Sequence, residues 1–470
     1  MPDSLTRETT ATSVVLLATT PACKLPSSDG TLLDRVTDQL ATLPVREIQV
    51  VSPGGGLGAD LRGVAKIARI SSGAVAVLPA DLVAHTEALA LLLDHPARGS
   101  GALVSYEAAA APMRPPVRVE GGKIVAAGSS FHVVPEANAT FRGVLKAGEA
   151  DLGALADIAE ELAELADTGK LGPVTPVEAV DLLLVGLVRS GVSVRAAGIG
   201  PLHADRVTGQ HAADTAVTRL AEVDEAKVRL DLSIKADDGF FATFFVSTWT
   251  RHLIKPAVRL RLAPNTVTGA SIGLAALAAV WFSASTQGGR LAGALLFCLS
   301  FALDCLDGQL ARYTRTFSPL GAWADGMADR LKEYAVYVGL ALGFAGDVWH
   351  LAVAAMVLQV VRHAIDQTYA GALTDAARVG AQWGRPARSL LESADGTRPR
   401  GVLGLAQRLE RDAIARWIKK IVVLPIGERT ALIAITAAGW NARVTFLSLL
   451  CWGGVAAIYQ LAGRIVRSAR

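Results

Sequence analysis

The chain has 470 residues, is 51% hydrophobic and has a mean hydropathy of +0.38, which excludes an ordinary soluble protein and leaves room for two or three domains. A net charge of +3 gives no global pull toward nucleic acid, and the four cysteines (Cys23, Cys298, Cys305, Cys451) have neither metal-ligand nor disulfide spacing. From the N-terminus, MPDSLTRETTATSVVLLATT combines a short apolar run with no basic flank, so no cleaved signal peptide is predicted. Residues 1–235 alternate β-like runs (SVVLLA, EIQVVS, AVAVLPAD) with helical stretches such as DLGALADIAEELAELAD. That alternation predicts a soluble α/β domain with a doubly wound sheet.

Residues 236–265 change character. DGFFATFFVSTWTRHLIKPAVRLRLAP is aromatic in its first half and alternates basic with apolar residues in its second, as an interfacial helix does. Lys255 and Arg259 share one face; Pro264 is expected to stop this helix, and Asn265 or Thr266 to cap the next. A plain membrane anchor and a direct substrate role both fit the segment. Residues 266–470 then form an all-α polytopic membrane domain with about six candidate spans. These run over 266–286, 291–310, 325–346 and 349–369, then from Arg429 onward, and over 444–465; the fifth is weakest, because Trp440 and Asn441 arrive early.

Basic residues occupy alternate connections. Arg251, Lys255, Arg259 and Arg261 precede the first span, Arg312, Arg315, Arg330 and Lys332 flank the second turn, and an Arg-rich stretch from Arg378 to Lys420 fills the fourth. The asymmetry predicts both termini at the cytoplasmic face.

One run, DCLDGQLARYTRTFSPLGAWADGMAD, fits D-x2-D-G-x2-A-R-x8-G-x3-D-x3-D at all eight fixed positions. Asp304 and Asp307 (i, i+3) project from one helix face, as do Asp325 and Asp329 (i, i+4). A short loop joins the two helices, so the pairs can converge. Four carboxylates at the ends of apolar spans repel unless a divalent cation neutralises them, and all-oxygen ligands favour Mg²⁺ or Mn²⁺ over zinc. Intramembrane carboxylates also suit a cation transporter, but their clustering at one face disfavours a path across the bilayer.

The eight-position pattern resembles that of the CDP-alcohol phosphotransferases. The resemblance implies a transferase that moves a substituted phosphate from a CDP-linked donor to an acceptor hydroxyl, releasing CMP. It further implies metal ligation by Asp304, Asp307 and Asp325 with Asp329 able to share, and Asp329 as general base. Contact with the CDP moiety falls to Asp304, Asp307, Gly308, Ala311, Arg312, Gly321 and Asp325. Gly308 would permit close approach of the nucleotide, Gly321 would allow tight helix packing, and Arg312 would either hold a phosphate or tie the helix end to a carboxylate. Members of the family are commonly homodimers.

Acceptor residues are less determined. Arg315, Arg362, Lys420 and Arg429 are the cationic candidates for a phosphorylated acceptor such as an inositol phosphate, although Asp366, at i+4 from Arg362, could simply pair with it. The front half resembles sugar-phosphate nucleotidyltransferases, as in bifunctional inositol-1-phosphate cytidylyltransferase/di-myo-inositol phosphate phosphate synthases. SSDGTLLDRVTDQL is similar to the stretch after their nucleotide loop, and VLPADLVAH to a strand ending in a metal-binding Asp, here Asp81. The Gly-rich loop itself is replaced by LLATTPACKLPSSDG, which lacks the glycines that let backbone N–H groups cradle a triphosphate. A degenerate, non-catalytic or regulatory front domain is therefore expected. The alternative for the whole chain is a membrane scaffold whose soluble domain binds a partner or senses nucleotide.

Overall fold

Every residue of β1 (Thr12–Leu17) is buried, and alternate side chains enter different cores. Val15 and Leu17 go to one, Val14 and Leu16 to the other. A strand covered on both faces reads as a continuous apolar run, as VVLL does. In the computed structural model, β1 lies in an eight-stranded sheet with β2 (Val45–Val51), β3 (Val75–Pro79), β4 (Gly101–Ser105), β5 (Pro116–Glu120), β6 (Lys123–Ala127), β7 (Ala139–Ala147) and β8 (Arg195–Gly198). The order is β2-β1-β3-β7-β4-β8-β6-β5. β1 is parallel to β2 and β3, whereas β7 runs antiparallel to β3 and β4, so the sheet is mixed.

Helices α1 (Leu32–Ala41) and α3 (Thr86–Leu93) pack on one face, and α2 (Gly56–Ile70), α4 (Leu152–Asp167) and α5 (Ala179–Arg189) on the other. The expected α/β fold, wound on both faces, is observed. α6 (Gln210–Ala221) and α7 (Glu225–Ser233) follow. The structure describes residues 12–382 and 413–468, apart from 28–29, 53, 95–98, 107–109, 112, 131, 173, 235–238 and 317–318. Among the described residues, two compact units separate: residues up to 229 with 375–382, and residues 230–374 with 413–468.

The second unit is helical: α8 (Ser247–Arg259), α9 (Pro264–Ser283), α10 (Gln287–Thr314), α11 (Pro319–Leu342), α12 (Trp349–Gln382), α13 (Ala413–Val423), α14 (Ile426–Gly439) and α15 (Ala442–Ser468). Most of the Arg-rich stretch, including Arg385, Arg388, Arg398, Arg400, Arg408 and Arg411, lies outside the described residues. Pro264 opens α9 at its first turn rather than closing α8, and the N-cap is Ala263 with no side-chain cap, so neither Asn265 nor Thr266 has the expected role. Proline is at home there because a first-turn N–H has no intrahelical partner to lose.

Among the described residues, three helices are long and apolar enough to cross a membrane: Pro264–Ser283, Gln287–Thr314 and Ala442–Ile465. A bent pair, Trp417–Val423 with Ile426–Gly439 at 68°, makes a fourth if taken as one span. That count is below the six expected, for two physical reasons. α11 and α12 have the length but carry ionisable residues inside, among them Asp325, Asp329, Lys332 and Glu333 on α11 and Arg362 and Asp366 on α12. The fifth, expected from Arg429 onward, falls on α14, which ends at Gly439 after only 14 residues and is set off from α13 by Leu424, whose φ is +51°, and by Pro425, its N-cap.

α9 and α11 approach closely through glycine. A Cβ on Gly339 would overlap the Ala279 carbonyl, and one on Gly343 the Phe282 carbonyl. Around this contact sits the core of the unit, with Phe282, Phe297, Tyr337 and Phe446 buried together.

Candidate active site

Helix periodicity puts Asp304 and Asp307 on one face of α10 and turns Asp325 of α11 toward them. One carboxylate oxygen from each lies within 4.8 Å of the others. Asp307 is buried and accepts a hydrogen bond from the Thr268 hydroxyl on α9. Three carboxylates this close repel unless a cation lies among them, and the donor set is all oxygen, so these residues fit a divalent ion of the Mg²⁺ or Mn²⁺ kind.

Asp329 stands outside that trio. Its Oδ1 lies 3.1 Å from the ammonium of Lys332, which is buried and also donates to Asp304 and, at 3.2 Å, to Ser271 Oγ. Ser271 is held by Ser300, each hydroxyl donating to the other's carbonyl at 2.9 and 2.8 Å, which locks α9 to α10 beneath the cluster. Sequence reasoning counted Lys332 only among the basic flanks. Its i+3 spacing from Asp329 was the available signal.

Beside the cluster lies a second buried charge group that the sequence reading also missed. Glu333 accepts from Arg429 Nε and Nη2, both at 3.0 Å, and from the Tyr337 hydroxyl at 2.5 Å. Arg429, expected as an acceptor-binding cation, is thereby committed to a bidentate internal pair. Arg362 is buried too and donates to the Val423 carbonyl at 2.7 Å. The expected Arg362–Asp366 pair does not form, because Asp366 pairs with Arg464 instead. A small cleft between α10, α11 and α14 is bounded by Phe297, Phe301, Asp329, Lys332 and Arg429.

The remaining positions are placed as follows. Arg312 donates from Nε to the Ser233 carbonyl at 2.5 Å, and a Cβ on Gly308 would lie 3.3 Å from its Nη1. The helix end is thus tied to a carbonyl. Ala311 lies half-buried one turn before the end of α10, and Arg315 closes α10 with left-handed backbone at φ 58°. Gly321 sits in the first turn of α11. Lys420, on α13, stacks over the Trp417 ring at 4.7 Å.

In the first unit, Asp81 accepts from Arg206 Nε at 2.9 Å and Nη2 at 3.0 Å, and from the Thr20 hydroxyl at 2.8 Å. Both partners of this ion pair are almost wholly buried. Asp181 is buried nearby, and burial pushes its carboxyl up to about 7 against the opposing pull of Arg206. The position that the nucleotidyltransferase resemblance assigned to a metal ligand is therefore filled by an arginine.

Residues 261–393 match the CDP-alcohol phosphatidyltransferase family, and the match covers the whole Asp pattern, bearing out the resemblance read from it. An archaetidylinositol phosphate synthase from Pyrococcus horikoshii is 37% identical over 89 residues, 19% of this chain and 46% of that protein. One from Aeropyrum pernix is 38% identical over 76 residues, 16% and 37% respectively. The chain thus spans less than half the length of these relatives. Two solved structures are similar in fold. The inositol-1-phosphate CTP transferase from T. maritima is 13% identical with a TM-score of 0.34, over 46% of this chain and 97% of that one. The mannose-1-phosphate geranyltransferase from Thermus thermophilus is 19% identical with a TM-score of 0.31, over 44% and 79%.

Proposed function

We propose that the protein is a metal-dependent membrane transferase that moves a substituted phosphate from a CDP-linked donor to an acceptor hydroxyl and releases CMP. The observation that carries this reading is the convergence of Asp304, Asp307 and Asp325 inside the segment that matches the family. These three residues would hold a divalent ion, Mg²⁺ or Mn²⁺, which when bound offsets negative charge on the donor's phosphate oxygens. Thr268 fixes the Asp307 carboxylate, and the Ser271–Ser300 bonds fix the helices that present it.

The acceptor oxygen attacks the β-phosphorus, the bond to CMP breaks, and the hydroxyl proton passes to Asp329, which borders the cleft and lies outside the metal trio. Gly308, Ala311 and Arg312 of α10 and Gly321 of α11 are assigned to the CDP moiety. Arg315, Arg362 and Lys420 remain the cationic candidates for an anionic acceptor. The two relatives are named for making archaetidylinositol phosphate, which favours an inositol phosphate as acceptor. The donor is CDP-diacylglycerol or CDP-inositol. The chemistry faces the cytoplasm in a multi-pass protein, a reading that the alternation of basic connections supports.

For the first unit we propose a non-catalytic role, supported by the Arg206–Asp81 pair. Both Asp81 oxygens are engaged by the Arg206 guanidinium, whose positive charge opposes a metal ion at that position.

The test is CMP release by membranes carrying the protein, with Mg²⁺ or chelator, each donor, and inositol 1-phosphate, glycerol 3-phosphate, inositol or serine as acceptor. Chelation is expected to abolish release, and Asp304→Asn to lower it at least about 100-fold. In the same membranes, CTP with inositol 1-phosphate should yield no pyrophosphate. Chelator-resistant CMP release would reject the metal reading, and pyrophosphate formation would make the first unit catalytic.

A further inference from the structure

The four carboxylates do not form one equivalent set. Asp304, Asp307 and Asp325 converge, whereas Asp329 falls outside that trio and shares Lys332 with Asp304. The Lys332 ammonium donates hydrogen bonds to Asp304 Oδ1 and Ser271 Oγ and lies 3.1 Å from Asp329 Oδ1 as an ion pair. Its side chain is 5% exposed and Ser271 is pinned by Ser300, so the ammonium is held in place and shielded, while the Asp329 side chain is 25% exposed. A compact ammonium among oxygens at this range occupies the kind of space that a second metal ion takes when two ions share a bridging carboxylate. Here Asp304 is that carboxylate, shared between the trio and the lysine.

We propose that Lys332 is a fixed second cation. It fills the position between Asp304 and Asp329, restricts the cluster to a single divalent ion, and keeps Asp329 out of the metal's coordination shell. This rests on the metal-dependent reading above and specifies how that site is occupied. It makes Lys332 a positioning residue, because it acts on Asp304 and Asp329 and not on the reacting atoms. One consequence concerns Asp329: held by a lysine and not by a divalent ion, its carboxylate keeps an oxygen available to the cleft.

Mn²⁺ titration of the detergent-solubilised full chain, read by electron paramagnetic resonance, tests it without any turnover. The wild-type protein should bind one Mn²⁺ with an uncoupled spectrum. Lys332→Met should bind two, with the broadened, spin-coupled signal of ions about 4 Å apart. Asp329→Asn serves as a second arm that does not depend on the lysine variant folding; it should change the wild-type affinity by less than about ten-fold, the scale at which loss of a supporting contact becomes visible. Two ions on the wild type, one ion on folded Lys332→Met, or a larger loss in Asp329→Asn would each overturn the proposal and leave the metal reading intact. No Mn²⁺ bound by the wild type, with Asp304→Asn indistinguishable from it, would overturn both.

Discussion

Glu333 shows what the residue scale decides in this protein. Its carboxylate is buried in a helical unit and is tolerable only because Arg429 and Tyr337 saturate it. Arg429→Met is therefore expected to destabilise the unit by about 3–5 kcal/mol, by stranding a buried charge, whereas the double change with Glu333→Met should cost much less. Thermal unfolding of the two variants in detergent checks this; equal losses would mean that the pair is not the source. The Asp pattern was legible because its spacing alone defines a face. The pairings were not, because partner choice is made across the fold: Lys332 meets Asp304 28 residues away, and Arg429 meets Glu333 96 away. Arg362 illustrates the same limit, since the local i+4 partner Asp366 lost to the distant Arg464.

At the scale of the element, close packing is set by glycines that the sequence reading passed over. Gly339 on α11 and Gly343, just past its end, let the backbone there touch that of α9. Gly343→Val would drive a branched side chain into the Phe282 carbonyl, with no flexible atom to yield, and is expected to separate the helices. Loss of folded, monodisperse protein on size exclusion is the expected result; a wild-type profile and melting temperature would show that the contact is not needed. Helices α9, α10 and α15 were legible as long apolar runs. α11 and α12 were read as spans of the same kind, but their charges set them apart. The fifth is short for the reason its sequence signalled: α14 ends at Gly439, with Trp440 as its C-cap. In the first unit, β1 was readable as a continuous apolar run, but the antiparallel course of β7 was not, because strand order depends on contacts that no local pattern records.

Across the whole molecule, the two units answer burial of charge in different ways. In the first, an aspartate at a strand end is neutralised by an arginine and closed off. In the second, three carboxylates converge on one another, and a single lysine bridges one of them to the fourth. The contrast places the expected chemistry in the helical unit, and it depends on α11, which supplies Asp325 and Asp329 as well as the buried Lys332 and Glu333. That helix has five ionisable residues within nine positions, from Asp325 to Glu333. Charged residues at a helix centre disfavour insertion by about 2.5–3.5 kcal/mol each, so α11 should not leave the translocon for lipid on its own. Its partners come from earlier and later in synthesis: Ser271 and Asp304 precede it, and Arg429 follows. Biogenesis should accordingly be collective, with α11 retained until α9 and α10 can receive it. In a glycosylation-mapping assay, the isolated segment should fail to insert and should gain efficiency when α9 and α10 precede it. Efficient insertion of α11 alone would refute this order of assembly.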